Sequence, residues 1–192
     1  MNEDQNNIIN NIIYIKGFSQ ENRKESSTFD ELKILENENT QLFLFTPDYT
    51  SIESFSNSAK DIIELVMTKK NVTLIGNSFG GFLAMYIVAI TNVKSILINP
   101  QIKPVYSQRN ISAETRAYYH EILNIIKVSL ELEVFTYNLV LLGLKDYVIP
   151  IQFFLDSEYL RYTTKTIIDR NEPHKFKNIL NYTRDILDVV KK

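Results

Sequence analysis

Asn71-Val72-Thr73-Leu74-Ile75-Gly76-Asn77-Ser78-Phe79-Gly80-Gly81-Phe82 reads as a strand, a sharp turn and the start of a helix. Val72 to Ile75 is a short run of β-branched residues and leucine, the kind that lies buried in a parallel sheet. From Gly81 through Ile90 an apolar segment reads as a buried helix. Between them, Gly76-Asn77-Ser78-Phe79-Gly80 has the form G-x-S-x-G, a nucleophile elbow. Gly76 and Gly80 are expected because the chain reverses so tightly that a Cβ there would meet the neighbouring strand or helix. The turn holds Ser78 Oγ at a helix N-terminus, where free N–H groups and the helix dipole favour a developing oxyanion. With 5 Gly and 13 Ser in 192 residues, chance would supply such a pattern only on the order of 0.01 times.

The rest of the chain agrees with that unit. Strand patterns lie at Asn11–Lys16, Gln41–Thr46, Val72–Gly76, Lys94–Ile98, Asn138–Leu142 and Lys165–Ile168. Helical patterns alternate with them. Ser27 or Thr28 caps one that runs to about Asn37. Phe55, Ala59, Ile62, Ile63 and Val66 form the stripe of another. Pro150 opens one reaching about Leu160, and Asn178 to Val190 makes the last. Strands apolar on both faces and joined by helices imply a mostly parallel sheet of about six strands, covered on both sides. No repeat, linker or composition break divides the chain, so residues 1–192 read as one α/β domain. At this length it should bury roughly 70% of its unfolded surface. Ligands of such sheets bind beyond the carboxyl ends of the strands.

The segment 99–137 is too long for a simple connection. Ser112-Ala113-Glu114-Thr115 begins a helix carrying Tyr118, Tyr119, Ile122, Leu123 and Ile126. It has two readings: a cap-like insertion over the site, or a helix that covers the sheet.

Composition excludes several classes. Net charge of −2 and a pI near 5.8 give no electrostatic reason to expect nucleic acid. No cysteine is present, which removes disulfides and thiolate metal sites. Two histidines far apart, without clustered carboxylates, imply no metal, and no cofactor is expected. The polar, acidic start Met1-Asn2-Glu3-Asp4 has no leader pattern. The longest apolar run, Phe82 to Ile90, is far below the roughly 20 residues of a membrane span. A cytoplasmic protein with no membrane partner is therefore expected, and monomer and homodimer both stay open.

A serine needs a base, and the base a carboxylate to orient it. In an α/β-hydrolase the three follow in the order Ser, Asp or Glu, His. His120 falls within the inserted helix, whereas His174 follows the last strand, where the base belongs. Asp146 lies just past Val140-Leu141-Leu142-Gly143-Leu144-Lys145 and is the candidate acid. Asp156 and Asp169 are weaker substitutes. The oxyanion needs two backbone donors: Phe79 N–H, and Phe18 N–H from the loop after the first strand, with Gly17 allowing close approach. The plainer alternatives are a turn glycine at Gly17, a capping aspartate at Asp146 and a loop histidine at His174.

These residues resemble the small bacterial esterase family typified by YqiA, over nearly the whole chain. The resemblance rests on Ile13-Tyr14-Ile15-Lys16-Gly17-Phe18, Gly76-Asn77-Ser78-Phe79-Gly80-Gly81, Leu97-Ile98-Asn99-Pro100, Gly143-Leu144-Lys145-Asp146 and Pro173-His174-Lys175-Phe176. It implies a compact α/β-hydrolase fold, a catalytic triad of Ser78, Asp146 and His174, and hydrolysis of short acyl esters or thioesters, acyl-CoA included. One departure stands out. Lys16 replaces the family histidine that braces the oxyanion loop. The loop is then either misplaced or tuned to anionic substrates, unless Lys16 merely points to water. Gln101, Lys103, Arg109 and Arg116 could offer charge to a CoA phosphate or form a solvated face. A damaged oxyanion hole would instead make the chain a non-catalytic homologue that binds a partner. A third reading, an anion-binding loop at Gly76 to Gly81, lacks the P-loop lysine and the G-x-G-x-x-G spacing.

Overall fold

A computed structural model describes residues 9–18, 27–103 and 112–192. Six strands, β1 (Asn10–Ile15), β2 (Thr40–Phe45), β3 (Val72–Asn77), β4 (Lys94–Ile98), β5 (Leu139–Lys145) and β6 (Thr166–Pro173), form one sheet in the order β2-β1-β3-β4-β5-β6. Every neighbouring pair is parallel. The helices are α1 (Ser27–Leu32), α2 (Ile52–Thr68), α3 (Phe79–Thr91), α4 (Ala113–Glu131), α5 (Gln152–Leu155) and α6 (Thr183–Val190).

Alternation along each strand sends successive side chains to opposite faces. Ile13, Ile15, Leu74, Leu97, Val140 and Leu142 meet α2, α3 and α4 on one face. Ile12, Tyr14, Ile75, Ile96, Ile98 and Leu141 meet α1 and α6 on the other. Both faces are therefore dry, which is why these strands read as unbroken apolar runs. The strand order changes direction at β1, with β2 on one side of it and β3 on the other, so the carboxyl ends of β1 and β3 flank the crevice that parallel sheets use for ligands.

Helix α4 begins where Ser112 predicts, with the Ser112 hydroxyl accepting the Thr115 N–H at 3.0 Å. It lays Tyr119, Ile122, Ile126 and Leu130 into the core shared with α2 and α3. Several boundaries differ from the sequence reading: the last helical segment opens as a 3-10 turn at Ile179–Tyr182 before α6, and β5 runs on to Lys145 rather than ending at Leu142. The Pro150 segment is not one helix: α5 stops at Leu155 and a separate 3-10 turn covers Glu158–Tyr162. Ser157 breaks it, since its hydroxyl donates to Phe154 O at 2.6 Å and its backbone is extended. The first helix likewise tightens into a 3-10 turn at Lys33–Leu35. Strand β6 continues through polar Asp169 to Pro173, beyond the apolar run, because it is an edge strand with one side in water. Among the described residues no helix is long and apolar enough to cross a membrane.

Candidate active site

The elbow forms because β3 delivers the chain into α3 with a single residue between them. That residue, Ser78, has φ 55° and ψ −120°, a region that L-residues other than glycine rarely occupy. No glycine in this chain has positive φ; the strained position belongs to the serine. The glycines supply room instead. A Cβ on Gly76 would lie 2.5 Å from Gly80 O and 2.7 Å from Ala84 Cβ, against the helix. One on Gly80 would lie 2.3 Å from Ile15 O and 2.8 Å from Lys16 O, against the end of β1. Strain of this kind persists only where surrounding structure fixes it. Here Ser78 N–H donates to Ile98 O at 2.9 Å, and Ser78 O accepts from Gln101 at 3.0 Å and Gly81 at 2.9 Å.

Gly17 presses on this turn: its Cβ would sit 2.7 Å from Asn77 O and 2.9 Å from Ser78 Cβ. The backbone of the loop after β1 thus runs alongside Ser78. Phe18 follows it, with a half-exposed side chain whose ring centroid is 6.3 Å from that of Tyr49. Phe79 is the first residue of α3, so its N–H has no partner within the helix. Its ring is buried among Tyr49, Phe55, Phe82 and Tyr119. Lys16 is half-buried, and the Tyr49 hydroxyl donates to its carbonyl at 2.7 Å. Burial pushes the Tyr49 phenol well above its ordinary range, which keeps that hydroxyl a donor. Burial likewise raises Tyr119, to about 12.

At the far side of the same rim, Asp146 and His174 are paired: Asp146 Oδ2 lies 2.7 Å from His174 Nδ1. The Asp146 side chain is 1% exposed and that of His174 is 19% exposed. Asp146 Oδ1 accepts the N–H groups of Val148 and Ile149, both at 2.8 Å. A neutral imidazole facing a carboxylate, which only accepts, carries its proton on Nδ1 and keeps the lone pair on Nε2. The loop bearing His174 is wound about buried Glu172, which accepts from Lys177 N–H and Asn178 Nδ2, both at 2.7 Å.

The substitutes are engaged elsewhere. Asp156 is exposed and accepts from Gln152. Asp169 accepts from the Tyr182 hydroxyl, the main reason its carboxyl is held below the usual range. His120 is exposed on α4. Of the candidate phosphate contacts, Gln101 is buried, Lys103 lies 4.7 Å over the Phe153 ring, Arg116 is exposed, and Arg109 lies outside the described residues. Among the described residues no group of three or more His, Asp or Glu side chains could hold a metal ion. Nothing in the sequence pointed to Tyr49 as a partner of the Lys16 carbonyl or to Glu172 as the centre of the loop that bears His174.

A doubly covered parallel sheet with a strained serine elbow at its switch point is the α/β-hydrolase fold. The chain belongs to the Uncharacterised protein family (UPF0227), whose model matches residues 11–191. That is the family its motifs resemble. Solved structures share the fold. Est1E from Butyrivibrio proteoclasticus superimposes with a TM-score of 0.71 at 12% identity, covering 99% of this chain and 92% of that one. A bromoperoxidase from Bacillus anthracis gives 0.64 at 14% identity over 96% and 92%. The esterase EaEST from Exiguobacterium antarcticum gives 0.60 at 15% identity over 96% and 93%. Among curated proteins none matches this sequence.

Proposed function

We propose that this chain is a serine hydrolase that cleaves short acyl esters or thioesters through an acyl-enzyme. The observation that carries the reading is the Asp146–His174 pair at 2.7 Å, its carboxylate buried, on the rim that also holds the strained serine. Ser78 Oγ attacks the acyl carbonyl while its proton passes to His174 Nε2. The tetrahedral oxyanion is met by the N–H groups of Phe79 and Phe18. Its collapse breaks the bond to the alkoxide or thiolate, which leaves with the proton from Nε2. Water then gives a proton to His174 and attacks the acyl-serine, and the second tetrahedral intermediate collapses to release the acid as His174 returns that proton to Ser78 Oγ. Asp146 keeps the Nε2 lone pair aimed outward and stabilises the imidazolium.

Lys16 motivates the competing idea of a non-catalytic homologue. The Tyr49–Lys16 hydrogen bond argues for the enzyme, because it supplies a brace to the oxyanion loop from another residue. Tyr49→Phe keeps the ring and removes that bond. It should lower kcat by about tenfold, the worth of one hydrogen bond to a positioned carbonyl, with KM within about twofold. Steady-state kinetics on p-nitrophenyl acetate reads both.

A short acyl group is favoured because aromatic rings fill the space beneath the elbow, while Phe18, Tyr147 and Val148 leave an open apolar rim. The deciding experiment is a chain-length series of p-nitrophenyl esters, acetate to octanoate, with matching acyl-CoAs. Turnover concentrated on short acyl chains is expected. Folded protein that hydrolyses none of them would leave the non-catalytic homologue as the better account.

A further inference from the structure

We infer that Asn99 is a positioning residue that sets where His174 sits relative to Asp146; this rests on the triad reading above. Asn99 follows β4, is 3% exposed, and holds a left-handed backbone at φ 41°. Its backbone N–H and its side-chain amide are all bonded to the two strands beyond and to the loop that follows the second. The backbone N–H donates to Leu141 O at 2.9 Å. The side-chain Oδ1 accepts Gly143 N–H at 2.7 Å. Both protons of Nδ2 are used, on Pro173 O at 3.1 Å and His174 O at 3.0 Å.

The reason a side chain is needed there lies in the sheet. The β5–β6 ladder pairs Gly143 with Asp169, then slips, so that Lys145 pairs with Pro173. A step of two residues on β5 thus spans four on β6, so the regular register that runs up to Gly143 and Asp169 does not carry through to residue 174. The strands also touch at this point: a Cβ on Gly143 would lie 2.4 Å from Glu172 O. Asn99 reaches across from β4, taking the amide of Gly143 and the two carbonyls that precede and carry the imidazole. Meanwhile Ile98 and Gln101, on either side of it, bond to the backbone of Ser78. The Asn99 amide therefore ties the acid strand to the base loop, and the backbones of its chain neighbours tie that pair to the elbow.

Two variants separate this role from that of an ordinary buried turn residue. Asn99→Gly relaxes the positive φ and deletes the clamp. Asn99→Asp retains the acceptor for Gly143 and replaces both donors with an oxygen facing two carbonyls. Each is compared with wild type by thermal melting, by kcat and KM on p-nitrophenyl acetate, and by the low-field proton resonance of His174 Nδ1–H. Cooperative melting, loss of that resonance, and a kcat reduced about 10²-fold with KM within about twofold are expected, the penalty of misplacing a catalytic group by an ångström. Should Asn99→Gly fail to fold, Asn99→Asp decides. Retained resonance and kcat in the folded variants, or a raised KM at unchanged kcat, overturns the inference, as does a wild type without the resonance. If wild type hydrolyses no ester, the function reading fails alone, and the resonance comparison still decides the role of Asn99.

Discussion

Ser78→Ala should lower kcat by about 10⁶-fold on a short p-nitrophenyl ester while leaving the fold intact. The size follows from what the residue is asked to do. Without Oγ no acyl-enzyme forms, and the imidazole and carboxylate have nothing to activate. The residual rate comes from oxyanion donors and binding alone, about 10³–10⁴-fold over water. Alanine keeps a Cβ in the same strained backbone, so unfolding is not expected to confuse the result. A thermal melt run beside the kinetics checks this, and a loss of only tenfold would remove Ser78 from the mechanism.

Asp146→Asn should reduce kcat by about 10⁴-fold, for a reason visible in the hydrogen bonds. Oδ1 of Asp146 accepts two backbone N–H groups, from Val148 and Ile149. The introduced amide must keep its oxygen there, which turns its NH₂ toward His174 Nδ1. Nδ1 then has to accept, the proton moves to Nε2, and the ring can no longer take a proton from serine. The geometry survives but the tautomer is wrong. The expected readout is a large loss of kcat with KM and melting temperature little changed. A variant that keeps kcat within tenfold of wild type would mean that Asp146 serves only as a turn cap.

The strands could be read from sequence because both faces of the sheet are dry, which leaves Ile12 to Ile15 and Val140 to Leu142 as uninterrupted apolar runs. The far half of β6 could not. Asp169 to Glu172 is polar, and what keeps it in the sheet is an edge position and a register slip, neither of which leaves a periodic trace. Ser157 ends a helix through its own side chain, a competition that composition alone does not resolve. Of the candidate residues, Ser78 is marked in the sequence by glycines whose absent Cβ atoms make room for the turn, and Asp146 and His174 by their order after successive strands. The supports were silent. Tyr49 reaches Lys16 across 33 residues and Asn99 reaches His174 across 75, and contacts at such separations have no local signature.

The central claim is that the serine of the elbow is activated by the imidazole of the β6 loop. The rate at which a fluorophosphonate modifies the peptide carrying Ser78, followed by mass spectrometry in wild type and in His174→Ala, tests it directly. The account predicts an adduct on Ser78 that forms about 10²–10⁴-fold more slowly once the base is gone. Equal rates in the two proteins, or an adduct on any other residue, would contradict it.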